Sequence, residues 1–226
     1  PFYLAYALDK ELNALGQPEE WLAEYKWDGI RGQLIKREDE VFLWTRGEEL
    51  VTHQFPEFEI LKALDFDFVF DGEILVRKDG QLGTFNDLQK RLGRKKVSKK
   101  MMSELPAFMK IYDIIELNGQ DLRPNSQISR RETLEIQYSF LKSYNCLDLS
   151  PRVPFDKWED LTEVHNSARA SKTEGLMLKT KIGTYKTGRK KGDWYKWKTD
   201  PMTIDAVMLY AQRGHGRRAT LFTDFT

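Results

Sequence analysis

The stretch from Trp21 to Thr45 limits the possible fold more than any other. An apolar-rich run (Trp21 to Lys26) meets an Asp28-Gly29 pair. A second run (Ile30 to Lys36), a charged turn and Val41 to Thr45 follow. Short apolar runs separated by such turn residues are strand signals, so the segment predicts a β-meander with Asp28-Gly29 as its first turn. Lys26 stands just before that turn, among Trp21, Leu22, Tyr25 and Trp27. Apolar surroundings, or neighbouring cations such as Arg31, lower a lysine's pKa and free the lone pair that makes it a nucleophile. Taken alone, the same residues equally describe a surface lysine beside an ordinary turn.

The rest of the chain mixes helices and strands without regular alternation. Phe2 to Leu15 has loosely helical spacing and ends at Gly16-Gln17-Pro18. Gln54 to Leu64, with Phe55, Phe58, Leu61 and Leu64, predicts an amphipathic helix. Phe66 to Val76 predicts a strand interrupted by Asp71-Gly72-Glu73. Phe85 to Leu92 and Ser98 to Leu105 predict short helices, and Phe108 to Ile115 a strand. Ser129 to Leu141 is the longest helical pattern, with Ser129 as N-cap and Glu132 at capping-box spacing. Asp156 to Ser171 predicts a further helix, and Gly175 to Lys179 and Asp193 to Lys198 predict strands. Beyond a joint at Pro201, Thr203 to Tyr210 and Arg218 to Phe222 predict a separate pair of strands. The expected class is α+β, with mainly antiparallel sheets flanked by helices.

Composition excludes several classes. With 40% hydrophobic and 12% aromatic residues in 226, the chain can build a substantial core and is not disordered. A net charge of +1 imposes no global field, so the placement of charge matters more than its sum. Cys146 is the single cysteine, which rules out an intrachain disulfide and a cysteine metal cluster. No apolar run reaches membrane-spanning length, and the first residues are no signal peptide. The single cysteine and the lack of a signal peptide suit an intracellular setting. The opening at Pro1 without Met, and the stop inside a strand-like run, read as cuts in a longer protein.

Further motifs fall at the edges of predicted strands. Thr45-Arg46-Gly47-Glu48 sets an arginine beside a glycine, suited to a phosphate or ribose contact. Asp71-Gly72-Glu73 puts carboxylates inside an apolar strand, and Glu174-Gly175-Leu176-Met177-Leu178-Lys179 opens another with one. Trp194-Tyr195-Lys196-Trp197-Lys198 alternates, so its lysines share a face. Singly, each is ordinary. Together with Lys26-Trp27-Asp28-Gly29-Ile30-Arg31 and Tyr112-Asp113-Ile114-Ile115-Glu116-Leu117-Asn118-Gly119, and in this order, the set resembles the adenylation (nucleotidyltransferase) domain of ATP-dependent DNA ligases. The resemblance spans most of the chain.

That resemblance implies an ATP-grasp-like nucleotidyltransferase domain over residues 1–200. Residues 201–226 would be the first strands of an incomplete OB-fold domain, lacking its last basic motif, so the chain would be truncated and impaired in sealing. Lys26 is implied to attack the α-phosphate of ATP and form lysyl-AMP. Lys196 and Lys198 would neutralise the charge building on that phosphate. Glu24 would read the adenine amino group and Tyr112 stack on its face, with Tyr25 and Lys179 also in the nucleotide site. Arg31 and Arg46 would hold ribose and phosphate. Glu73 would contact ribose or help Glu174 hold Mg2+. The basic stretches Lys90 to Lys100 and Lys186 to Lys191 suit the backbone of nicked double-stranded DNA, bound by a monomer with little base specificity. Two alternatives remain: an RNA ligase or capping-type nucleotidyltransferase, and a noncatalytic nucleic-acid-binding module.

Overall fold

Strands are shared between two large sheets according to sequence position, in a computed structural model that describes residues 1–94, 96–200, 209–214 and 219–225. In chain order the elements begin with β1 (Tyr3–Leu4), β2 (Tyr6–Ala7), β3 (Trp21–Trp27), β4 (Ile30–Arg37), β5 (Glu40–Thr45), β6 (Phe68–Lys78) and β7 (Gln81–Leu82). Helices α1 (Phe85–Gln89) and α2 (Lys99–Glu104) precede β8 (Ala107–Leu117) and β9 (Gln120–Asp121). Then come α3 (Gln127–Leu141), β10 (Leu147–Leu149), β11 (Arg152–Val153) and α4 (Trp158–Asn166). The chain continues through β12 (Thr173–Thr180), β13 (Gly188–Arg189), β14 (Trp194–Lys198), β15 (Ala211–Arg213) and β16 (Phe222–Phe225).

The middle of the chain, β4 to β10, forms a seven-stranded sheet ordered β10-β8-β6-β4-β5, with β7 and β9 on β6 and β8. Both flanks of the sequence supply the second sheet, ordered β11-β3-β12-β14-β2. Most pairings are antiparallel, as the sequence predicts; β10–β8, β14–β2 and β1–β13 are parallel. Leu34, Phe70, Ile74, Met109 and Ile111 bury against Phe58 and Leu134 to make the larger core. Trp21, Ala23, Leu176, Leu178 and Tyr195 pack with Trp158 and Leu161 in a second core. Each large side chain so buried contributes roughly 1.5–3 kcal/mol.

Several expectations are corrected. The stretch from Trp21 to Thr45 is no meander: β3 pairs with β11 and β12, whereas β4 pairs with β5 and β6. Asp28-Gly29 carries the chain from one sheet to the other. Its glycine serves close approach, because a Cβ there would lie 2.3 Å from the Ile74 carbonyl oxygen and 2.7 Å from Leu75 Cδ2. Phe2 to Leu15 is mostly extended, since Tyr3 and Tyr6 pair in parallel with β13 and β14; only Leu12–Leu15 turns, as a 3-10 helix. Pro56–Ala63 is 3-10 as well, burying Phe58 and Leu61 at the i, i+3 spacing of that helix.

Asp71-Gly72-Glu73 does not interrupt β6. The strand passes through with a bulge after Asp71, and Gly72 lets β8 approach: a Cβ would meet the Lys110 carbonyl oxygen at 2.6 Å. Helix α3 starts earlier than expected, capped by Ser126, whose hydroxyl accepts from the Ser129 N–H at 3.3 Å. Helix α4 is confined to Trp158–Asn166. Of the two strands expected after Pro201, residues 203–208 of the first lie outside the described residues, and Leu209 and Tyr210 carry no strand. The second is displaced to Phe222–Phe225, paired antiparallel with Ala211–Arg213.

Candidate active site

A cleft of about 790 Å3 draws its lining from both large sheets and from Phe85 of α1. Glu24 and Lys26 alternate with Ala23, Tyr25 and Trp27 along β3, so they share a strand face and line the cleft together. Opposite them on the neighbouring strand, the β3–β12 ladder is irregular between Thr173 and Leu176. The irregularity falls on Glu174-Gly175. Gly175 has φ 129°, and a Cβ there would lie 2.0 Å from the Trp197 carbonyl oxygen, so only glycine fits. Bulges re-aim side chains. This one directs Glu174 to Lys26, whose Nζ donates to Oε2. Lys198 Nζ shares that oxygen at 3.1 Å.

The carboxyls around Lys26 titrate differently. Burial raises the Glu174 pKa, but Lys26 and Lys198 outweigh it and hold the group below its ordinary value. Asp28 is raised, by burial and then by the nearby Glu174 charge. Glu73 is pushed up from 4.5 to about 8, because burial outweighs the attraction of Lys26 and Arg31. Lys196, on β14 opposite Met177, is lowered by burial and by the adjacent cations Lys198, Arg189, Lys26 and Arg46. The site therefore concentrates positive charge from three directions, with Glu174 as its counterion.

Arg31 stands at the start of the other sheet and is heavily engaged by the protein itself. Its Nε donates to Asp71 Oδ1 at 3.0 Å, its Nη2 to Oδ2 at 2.7 Å and its Nη1 to the Tyr3 carbonyl at 2.7 Å. Asp71 is fully buried and also accepts from the Tyr185 hydroxyl at 2.6 Å. Although burial opposes it, the Asp71 charge raises the Arg31 pKa well above its ordinary value. Arg46 is exposed at the cleft, its loop held by a 3.0 Å bond from its N–H to the Arg31 carbonyl. Tyr25, packed on Trp27 at 5.6 Å between ring centres, and Tyr112 of β8 also line the cleft. Burial holds the Tyr112 phenol well above 10. Lys179 is buried, with its Nζ 2.7 Å from Glu24 Oε2 and 4.7 Å from the Tyr112 ring centre.

The structure thus brings Glu24, Tyr25, Lys26, Arg31, Arg46, Glu73, Tyr112, Glu174, Lys179, Lys196 and Lys198 to one cleft. The basic stretches are less uniform than their composition. Arg91, inside the first, is fully buried: it clamps Glu57 with bonds of 2.5 and 2.8 Å and donates to the Leu105 and Gln54 carbonyls. In the second, Arg189 lines the cleft and Lys186 pairs with Asp193. Sequence reasoning missed Tyr185, Arg130 and Arg131 as supports of the site. For the two arginines the available signal was their spacing from Gln127 and Leu134, which puts all four on one helix face.

A cleft between two antiparallel-rich sheets, with a lysine at its base, is the fold of a nucleotidyltransferase domain. Solved structures share it: a mycobacterial DNA ligase D complexed with ATP and MES has TM-score 0.68 and 24% identity, over 87% of this chain and 59% of that one. The ATP-dependent DNA ligase from bacteriophage T7 has TM-score 0.65 and 19% identity, over 99% and 76%. The chain belongs to the ATP dependent DNA ligase domain family, whose model matches residues 3–198. A probable DNA ligase of Koribacter versatilis is 30% identical over all of this chain and 43% of its own length. The DNA ligase of Methanococcoides burtonii is 30% identical over 89% of the chain and 36% of its own length. The chain spans less than half the length of these curated relatives.

Proposed function

We propose that this domain activates DNA ends for joining through a lysyl-AMP intermediate on Lys26. The observation that carries the reading is the Lys26–Glu174–Lys198 contact, set by the Gly175 bulge inside a cleft that also presents Lys196 and Arg189. Lys26 Nζ, once deprotonated, forms a bond to the α-phosphorus of ATP; the bond from that phosphorus to its bridging oxygen breaks, and pyrophosphate leaves with the electron pair. In the later steps a 5′-phosphate oxygen at a DNA nick takes the adenylyl group from Lys26, and the 3′-hydroxyl then displaces AMP. Such transfers depend mainly on positioning and charge neutralisation, which Lys196 and Lys198 supply at the attacked phosphate.

Glu24 and Lys179 suit the base, Tyr25 and Tyr112 its ring, and Arg31 and Arg46 the ribose and phosphates. Among the described residues no group of three or more His, Cys, Asp or Glu is arranged for a metal ion. Glu73 and Glu174 nonetheless fit Mg2+, which takes one or two carboxylates and completes its shell with phosphate oxygens and water. The raised pKa of Glu73 marks a carboxyl without a full counter-charge. Bound there, the ion would offset phosphate charge.

Exposed lysines of the 90–100 and 186–191 stretches would meet the DNA backbone, in a monomer working inside the cell. The β15–β16 hairpin is proposed as the start of a second, OB-fold domain after a nucleotidyltransferase domain of residues 1–200. Intact-mass analysis after incubation with ATP and Mg2+ tests the central claim. The expected result is a gain of one AMP, mapped to Lys26 and missing in Lys26→Ala. Labelling by GTP instead would favour capping chemistry, and label retained in Lys26→Ala would refute the nucleophile.

A further inference from the structure

Helix α3 turns two adjacent arginines inward, and they reach different sheets. Arg130, fully buried, clamps Asp113 of β8 with bonds of 2.8 and 3.0 Å. Arg131, 1% exposed, reaches Glu24 of β3 instead, its Nη1 donating to Oε1 at 2.8 Å. The other two nitrogens of Arg131 each donate as well: Nη2 to the Ser150 carbonyl at 2.6 Å, and Nε to Glu135 Oε1 at 2.7 Å. The guanidinium is therefore held through all three of its nitrogens. The second oxygen of Glu24 lies 2.7 Å from Lys179 Nζ, which in turn sits 4.7 Å from the Tyr112 ring centre and 4.4 Å from that of Trp194. Glu24 is 1% exposed, yet it lines the cleft.

We infer that Arg131 is a specificity-determining positioning residue, fixing Glu24 so that the cleft takes a 6-amino purine and rejects a 6-oxo purine. The inference rests on the reading that this cleft binds an adenine nucleotide. Each carboxylate oxygen accepts along two directions, so with one cation on each the Glu24 side chain keeps acceptor capacity for a base. A 6-amino group offers that acceptor an N–H. A 6-oxo group opposes it with another acceptor, and a buried polar site denied its partner discriminates strongly. The discrimination requires the carboxylate to stay in place. A lysine at 131 offers a single ammonium, which cannot hold Glu24, Ser150 and Glu135 together. Lys179 alone would leave Glu24 free to turn about its remaining contact.

The test is equilibrium binding of AMP and of IMP to the full chain, read from the fluorescence of its six tryptophans. The wild type is expected to prefer AMP by about tenfold or more, and Arg131→Lys and Arg131→Met to bring that ratio close to one. Loss of structure alone would weaken both nucleotides equally, so an unchanged ratio in a folded Arg131 variant overturns the inference. Equal binding of the two by the wild type also overturns it. Should both Arg131 variants fail to fold, Glu135→Ala removes the partly exposed partner of Nε and is expected to narrow the ratio about two- to threefold. No narrowing there overturns the inference too. A wild type that prefers AMP but gains no covalent AMP supports the inference while refuting the lysyl-AMP reading. Binding of neither nucleotide sinks both.

Discussion

Lys26 and Arg31, five residues apart, belong to different sheets and line the same cleft. Lys26 is tied to Glu174 of the five-stranded sheet, and Arg31 to Asp71 of the seven-stranded one. The two residues between which this crossing is made are Asp28 and Gly29. The separation of Lys26 from its neighbouring arginine is therefore set where the backbone packs closely on β6.

Gly29→Ala is expected to be costly although the position is not left-handed. The new methyl would meet backbone and side-chain atoms at 2.3 and 2.7 Å, and overpacking of this kind costs about 1–3 kcal/mol. A lowered melting temperature, together with slower AMP transfer to Lys26, is the expected pair of results. An unchanged melting temperature would show that β6 yields without cost.

Arg91 and Lys100 should separate sharply despite lying in one basic run. Arg91→Met leaves Glu57 without its bidentate partner and is expected to destabilise by about 3–5 kcal/mol. Lys100→Ala, at an exposed position, should leave stability unchanged and weaken nicked-DNA binding, reducing the salt dependence by about one counterion. Thermal melts and salt titrations of binding read the two effects independently.

Asp71→Asn is expected to cost about 3 kcal/mol, because it removes the charge facing Arg31 while keeping the volume. Tyr185→Phe should cost about 1–3 kcal/mol, because it removes the donor to Asp71 and also leaves the buried Tyr3 N–H and Gln33 Nε2 without their acceptor. Since both act on one oxygen of Asp71, the double variant should fall short of the sum. Strict additivity in denaturant unfolding would argue against a shared network.

Glu73 predicts a pH dependence of stability for the nucleotide-free, metal-free protein. Its pKa rises from 4.5 to about 8 on folding, so between those values the folded state binds more protons than the unfolded one. Stability contributed by this group is complete at low pH and is lost as pH climbs through that window. The slope is at most about 1.4 kcal/mol per pH unit, and less where cleft water reaches the carboxyl. Glu73→Gln should flatten the slope in denaturation series at pH 5 to 8, and an unaltered slope would assign it to other groups.

Much of this was legible in the residues, for identifiable reasons. Glu24 and Lys26 alternate, and Lys196 and Lys198 alternate, so period-2 geometry alone gathers them on strand faces. The crossing at Asp28-Gly29 was not legible, because an Asp-Gly pair serves a hairpin turn and a tight passage between sheets equally well. Arg91 was misread because a run of cations looks solvated until Glu57 is seen to cover one of them. Arg130 and Arg131 escaped notice because their partners, Asp113 and Glu24, are distant in sequence, and because Ile136 and Phe140 put apolar side chains on the exposed face of the same helix.

The division of strands between the sheets has a consequence during synthesis. Strands of the seven-stranded sheet all fall within residues 30–149, so that sheet can assemble while the remainder is still being translated. The five-stranded sheet needs β2 and β3 from the beginning of the chain together with β12 and β14 from residues 173–198. Until those late strands leave the ribosome, Lys26 has neither Glu174 nor Lys198 beside it. A stalled or shortened product would therefore be folded in its middle while lacking the ion pairs that surround Lys26 in the finished chain.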